Sequence, residues 1–313
     1  MLKIFLRQYM RSFPLYVKLR RYGLMNTIRR LYYWRKVARM KSVCIASQSA
    51  FKSCEVHLLT SKWDWDLALW AVHSFYHWAS VDWPLVIHDG GGLGTQEWAC
   101  FKTHFPNARL VPALEADGLV NNYLAKRDLS ATIHARANYN LMRKVIDTAV
   151  MCQAPRFILL DSDVLFFRAP THLLQLAQAS SQRFHLLRDY QDSYSIDRDT
   201  AQGKLGIRLP PTINTGLAVI PKSSIDFDAM ENIFRIGVIP LFRDGFAEQT
   251  VLALLASISG LDYLPEDYKV VTGPSISRAD TFRHYVGPVK QLFFDEGVPY
   301  FWKLFNGKQN NYI

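Results

Sequence analysis

The stretch Phe157-Ile158-Leu159-Leu160-Asp161-Ser162-Asp163-Val164-Leu165-Phe166-Phe167 constrains this chain more than any other. Four apolar residues, two carboxylates one residue apart and four more apolar residues predict a buried strand that surfaces at a sheet edge, presents two acids and re-enters the core. In an extended segment residues i and i+2 point to the same side, so Asp161 and Asp163 can face one ion together. Carboxylates this close repel unless one is protonated or a cation lies between them, and a hard divalent metal is the simplest resolution. The competing reading is a turn at a strand end, with one aspartate capping a helix opened by Pro170-Thr171.

A chain of 313 residues, 49% of them hydrophobic, can bury a core of one large domain or two coupled ones. The net charge of +10 is local. Residues 1–54 hold thirteen Lys or Arg and no acid, which leaves 24 basic against 27 acidic residues in the rest. No helix-turn-helix, zinc-finger or RNP pattern accompanies that charge, which argues against nucleic acid as a partner. Leu24, Ile28 and Leu31, then Tyr33, Val37 and Met40, recur at helical spacing among Arg29, Arg30, Arg35, Lys36 and Arg39. Two readings fit: an amphipathic helix on an anionic membrane surface through residues 1–41, or a helical extension packed on the domain or a partner.

The expected division is therefore 1–54, a basic amphipathic N-terminal extension, and 55–313, the main domain. Cys44, Cys54, Cys100 and Cys152 have no metal or redox spacing and read as free thiols of a reducing compartment. Arg7 and Arg11 interrupt the apolar start before a secretory core develops, and no later apolar run reaches the roughly 20 residues of a membrane span. The expected location is cytoplasmic, peripheral on the inner membrane face.

From residue 55 the pattern alternates. Residues 55–60 and 84–89 read as strands around a helix over 66–78 whose core face is Leu67, Trp70, Ala71, Ser74 and Trp78. Such βαβ units gather ligands beyond the carboxyl ends of their strands. Gly90-Gly91-Gly92-Leu93-Gly94 follows Asp89 without a dinucleotide fingerprint; Asp89 is a candidate for a ribose or base, or an ordinary loop-initiating aspartate. A helix over 95–105, a strand over 108–111 and a long helix over 135–152 come next. Arg136 and Lys144 on that last helix either approach phosphates or are solvated. Residues 188–211 read as a long polar loop of the kind that lines a site. A strand over 213–220 opens on Asn214-Thr215-Gly216, and a later helix opens on Glu248-Gln249, near the positive end of its dipole.

The ordered motifs L-L-D-S-D-V-L-F-F, I-N-T-G-L-A-V-I, A-E-Q-T-V-L-A-L-L and H-Y-V-G-P-V-K resemble the GT-A nucleotide-sugar glycosyltransferases, most closely glycosyltransferase family 8, over roughly residues 55–305. The resemblance implies an α/β GT-A fold, Rossmann-like, with a mixed, mostly parallel sheet flanked by helices. It implies manganese, or magnesium, bound by Asp161, Asp163 and His284, and a nucleotide-sugar donor, a UDP-sugar, used with retention. Asn214 and Gly216 would line the donor-sugar pocket, Lys290 of the Gly287-containing motif would hold the donor phosphate, and Glu248 and Gln249 would sit beside the transferred sugar. Glu248 stands where that family usually has aspartate, and Gln291-Leu292 where Pro-Trp is common. The acceptor that fits a basic, surface-bound enzyme is a glycan or lipid-linked glycan. The alternatives are a haloacid-dehalogenase-type phosphatase, which also places two aspartates at a strand end, and a non-catalytic, membrane-associated sugar-binding scaffold.

Overall fold

Alternating inward residues of one strand divide the core. In the computed structural model, which describes residues 15–47, 53–241 and 245–309, strand β4 (Arg156–Leu160) sends Phe157 and Leu159 to one face of a large sheet and Ile158 and Leu160 to the other. Both faces are covered, so a continuous apolar run is what such a strand requires. Residues 1–14 of the predicted membrane-facing segment lie outside the described residues.

Among the described residues the first elements are helix α1 (Leu15–Val37, kinked at Gly23), β1 (Cys54–Thr60), α2 (Trp65–Ala79), β2 (Leu85–Asp89), α3 (Thr95–His104) and β3 (Arg109–Val111). Helices α4 (Ala113–Ala125), α5 (Ser130–Asn138) and α6 (Met142–Met151) lead to β4. After β4 come β5 (Val164–Phe166), α7 (Thr171–Gln178), β6 (Phe184–Arg188), β7 (Ile213–Pro221), α8 (Phe227–Ile236), α9 (Ala247–Ser259), β8 (Leu261–Tyr263), β9 (Tyr268–Val270), β10 (Phe282–His284) and α10 (Val298–Gln309). The large sheet has the order β3-β2-β1-β4-β7-β6-β8, and β7 alone runs against its neighbours. A small sheet, β5-β10-β9, stands beside it. Strands β1 and β4 are adjacent while β2 and β3 extend the other way, so the order reverses between β1 and β4. Crevices form at such a point, beyond the strands' carboxyl ends.

Several elements differ from the sequence reading. The helix expected over 135–152 is broken at Tyr139–Leu141. Asn138 and Asn140 are weak helix formers, and the Asn140 amide donates instead to the Gly90 carbonyl. The break turns Leu141 out to solvent. Helix α4 was hidden by Gly118 and by Leu114 and Leu119, which are exposed and blur its apolar stripe. Inside the long loop 188–211 lies a short helical turn over 198–205, capped by Asp197 on the Thr200 amide. Helix α1 buries Thr27, Arg30, Trp34 and Val37 rather than Leu24 and Ile28, and Trp34, Val37 and Ile45 join the core that contains Val56 and Leu58.

The core also holds neutral imidazoles. His73 on α2 meets His104 at the end of α3, Nε2 to Nδ1, at 3.0 Å, with both rings buried. Burial lowers the His104 pKa from 6.5 to about 4, and that of His73 in the same direction. A depressed folded-state pKa stabilises the protein above the unfolded value, and the benefit is lost as pH falls through the folded one. His104 alone carries on the order of 3 kcal/mol of this dependence. Thermal melts are expected to show Tm falling below pH 6.5, and His104→Gln is expected to flatten part of that slope. A Tm constant from pH 7 to about 4 would contradict this.

Candidate active site

Asp161-Ser162-Asp163 is the three-residue link by which the chain leaves the large sheet at Leu160 and enters the small one at Val164. The Asp161 amide donates to the Gly216 carbonyl on β7 (3.0 Å), and the Tyr285 amide, just after β10, donates to the Asp163 carbonyl (2.9 Å). Each acid is thus anchored to a different sheet. The Ser162 hydroxyl, pointing the other way, donates to Asp64 just beyond β1 (2.7 Å). The first turn of α7 has no side-chain cap, so neither acid serves the capping role considered above.

Strand β10 ends on His284, whose Nε2 lies 3.2 Å from Asp163 Oδ1 and 3.7 Å from Asp161 Oδ2. The three possible ligand atoms lie within 4.8 Å of one another. The other ring nitrogen, Nδ1, is 2.7 Å from Asn214 Oδ1, which also accepts the Gly216 amide at 2.9 Å, while the Asn214 amide nitrogen donates to Asp189 at 3.2 Å. With its amide so oriented, Asn214 can only accept from His284, and the Nδ1 proton is fixed. Nε2 then presents a lone pair to two carboxylates. Acceptors facing acceptors at this range require a second ring proton or a metal ion between them, and a histidine oriented through its far nitrogen is how metal-binding imidazoles are held. Close packing completes the cradle: a Cβ on Gly216 would fall 2.2 Å from His284 Nδ1.

Two lysines enter the same cluster. Lys144 Nζ, on α6, is 2.7 Å from Asp161 Oδ1, donates to the Thr215 carbonyl (2.8 Å) and lies 3.6 Å from Glu248 Oε1. Burial opposes its charge, but Asp161 and Glu248 outweigh that and raise its pKa. Lys290, just past the turn Gly287–Val289, places Nζ 2.9 Å from Asp163 Oδ2. Burial would raise the Asp163 pKa; the opposing charge of Lys290 and its hydrogen bond hold it well below the usual carboxylate range.

Glu248, in the first turn of α9, accepts from the Thr215 hydroxyl through Oε2 (3.0 Å), and its buried Oε1 has no hydrogen-bond partner. Burial pushes its carboxyl upward against the pull of Lys144. Gln249 donates its amide to the Ser193 carbonyl (2.8 Å), and Thr250 accepts the Ser195 amide (2.8 Å), so the long loop is pinned beside the cluster.

The motif residues Asp161, Asp163, Asn214, Gly216, Glu248, His284 and Lys290, together with Lys144, therefore converge. Two others stand elsewhere. The Arg136 guanidinium is bound in bidentate fashion by Asp147 (2.5 and 2.7 Å) and by Asp117 (2.8 Å). Asp89 accepts the Gly91 and Leu93 amides (2.7 and 3.3 Å) and shapes its own loop. Gly287 lines a cavity of about 370 Å³ with Lys290, Ser61, Trp63, Asp64 and Asn26, and a neighbouring one of about 420 Å³ holds Trp63, Gly90, Gly91 and Asn140. The motifs do not reach Ser61, Trp63 or Asp64. Their signal is topological: they follow β1, where the strand order reverses.

No family model matches the sequence, and no curated protein does. Among solved structures, the chain is similar to the galactosyltransferase LgtC in complex with donor and acceptor sugar analogues. The TM-score is 0.51 at 13% identity, over 80% of this chain and 94% of LgtC. An active-site mutant of LgtC gives a TM-score of 0.52 at 12% identity, over 81% of this chain and 95% of that one. The fold is that of the GT-A glycosyltransferases. The apo structure of the bifunctional glycosyltransferase WbbM is similar as well, with a TM-score of 0.51 at 11% identity over 90% of this chain and 58% of WbbM. Likeness at these identities concerns the fold alone. Among the described residues no helix is long and apolar enough to cross a membrane.

Proposed function

We propose that this chain is a metal-dependent glycosyltransferase that moves a sugar, with retention, from a UDP-sugar to a glycan or lipid-linked glycan acceptor. The observation that carries this reading is His284: Asn214 fixes its Nδ1 proton and leaves Nε2 aimed at Asp161 and Asp163. These three residues are the ligands we assign to manganese or magnesium, which suit mixed oxygen and imidazole donors. Charge balance supports the same assignment. Lys144 and Lys290 do no more than offset Asp161 and Asp163, so the cluster has no positive charge to spare for a diphosphate. A divalent ion held by Asp161, Asp163 and His284 would supply it, offsetting the charge that develops on a departing nucleotide.

The chain's own residues then have distinct tasks. Lys290 exchanges its contact with Asp163 for the donor phosphate, as the tip of a loop that lines the 370 Å³ cavity. The Trp63 ring in that cavity offers a face for the base. Asn214 and Gly216 shape the sugar pocket around His284. Glu248, buried with its Oε1 facing Lys144 Nζ at 3.6 Å, is the group we assign to stabilise positive charge at the anomeric carbon, and Lys144 keeps it oriented. Gln249 holds the long loop against this point. An anionic membrane surface met by the basic N-terminal segment would bring a lipid-linked acceptor to the site.

Calorimetric titration of UDP, GDP, ADP and CMP, with manganese and with chelator, tests the reading. One nucleotide, UDP, is expected to bind in a metal-dependent manner. Absence of binding by all four would return weight to the phosphatase and scaffold alternatives.

A further inference from the structure

Helix α1 has two working faces. On the inner one, Arg30 binds Asp66 through Nε (2.9 Å) and a second, shorter contact, and lies over the Phe294 ring at 5.3 Å. The Asn26 amide approaches the Gln291 carbonyl (3.4 Å), and Arg29 pairs with Asp295 (2.5 Å). Gln291, Phe294 and Asp295 all belong to the segment that follows Lys290. Helix α1 therefore grips from outside the loop whose Lys290 reaches Asp163 inside, and Asn26 and Arg30 also wall the cavity that Lys290 lines.

The outer face carries Leu24 and Met25, 62% and 60% exposed, with Ile28 and Tyr32 about half exposed. Positions 24, 25, 28 and 32 form one stripe on a helix. From Leu24 to Lys41 the chain adds Arg29, Arg30, Arg35, Lys36, Arg39 and Lys41 and no acid. Arg29 and Arg30 are committed to Asp295 and Asp66 on the inner face, which leaves Arg35, Lys36, Arg39 and Lys41; an apolar stripe followed by these four cations is complementary to an anionic bilayer, where apolar area and lysine or arginine charge contribute together.

We propose that these two faces make α1 a coupling device: docking of the Leu24-Met25-Ile28-Tyr32 stripe on an anionic bilayer holds α1 in its packed position, and α1 so held fixes the 287–297 loop with Lys290 set for the donor diphosphate. The function of that loop rests on the reading above. The coupling is entropic in origin. Holding a helix in one place costs conformational freedom, so whichever face is engaged first lowers the cost of engaging the other. By reciprocity, a bound donor strengthens membrane docking by the same factor.

The test uses the full chain with vesicles of phosphatidylglycerol or of phosphatidylcholine. Two quantities are read, amide hydrogen exchange over residues 285–297 without nucleotide, and UDP affinity with manganese. Anionic vesicles are expected to slow exchange in the loop and tighten UDP binding by roughly fivefold or more, within the usual range of coupling, and zwitterionic vesicles to do neither. Leu24→Glu with Ile28→Glu should abolish vesicle flotation and both responses while leaving the vesicle-free values unchanged. Arg29→Ala should still float yet show a weakened loop response. Flotation through α1 with no change in loop exchange would overturn the proposal, as would absence of flotation. Loop protection without any nucleotide binding would leave the coupling standing and remove the donor assignment instead.

Discussion

Asp163→Asn is expected to lower metal-dependent transfer by about a thousandfold and to abolish metal-dependent binding of the nucleotide. The residue meets His284 Nε2, Lys290 Nζ and the Tyr285 amide together. Opposite charges about 4 Å apart interact by roughly 4 kcal/mol at an effective dielectric of 20, and each 1.36 kcal/mol is about tenfold in rate. An asparagine preserves the volume and the backbone contact to Tyr285, so the link between the sheets should persist and the melting curve remain cooperative. Lys290 is partly exposed and returns to water without its partner, which limits the stability loss. Steady-state transfer and calorimetry on the same preparation read both effects. Undiminished transfer by a folded Asp163→Asn protein would remove the metal assignment and with it the central claim.

The legible part of this site was the part with a local signature. A charge pair inside an apolar run is visible because each neighbour's preference is unambiguous: Phe157 to Leu160 and Val164 to Phe167 belong inside, and Asp161 and Asp163 do not. The partners from distant strands, Asn214, Gly216 and His284, entered through motif order rather than through any property of the residues themselves. A lone histidine at a strand end carries no sign of its role until the register of β10 against β5 sets it opposite the link. What remained hidden was conformational. The break at Tyr139–Leu141 separates Arg136, committed to Asp147 and Asp117, from Lys144, committed to Asp161, although both stand on what reads as one helix. The outer stripe of α1 shows the same limit. Its helical spacing is evident in the sequence, but the inner face is chosen by Arg30 reaching Asp66, a long-range ion pair that amphipathicity does not encode.

Gly216→Ala should disable the site by the addition of one methyl group. The backbone at Gly216 is not in the left-handed region, so alanine is conformationally acceptable there and the consequence is purely one of space. An added Cβ would lie 2.2, 2.4 and 2.7 Å from His284 Nδ1, Cε1 and Cγ, closer than such contacts are ever made. The ring cannot yield without losing Asn214, which fixes its proton and points Nε2 at the two aspartates. Overpacking of a well-filled site costs about 1–3 kcal/mol, so Tm should drop by a few degrees. Displacement of the imidazole we assign to the metal should weaken metal-dependent nucleotide binding by about 10–100-fold, the range seen when the group orienting a ligand is lost. The double variant Gly216→Ala, His284→Ala separates the two effects, because the methyl then occupies the space the ring has vacated. Its Tm should match that of His284→Ala alone, while nucleotide binding stays lost. A Gly216→Ala protein with normal Tm and normal metal-dependent affinity would show that His284 is not held as the structure places it.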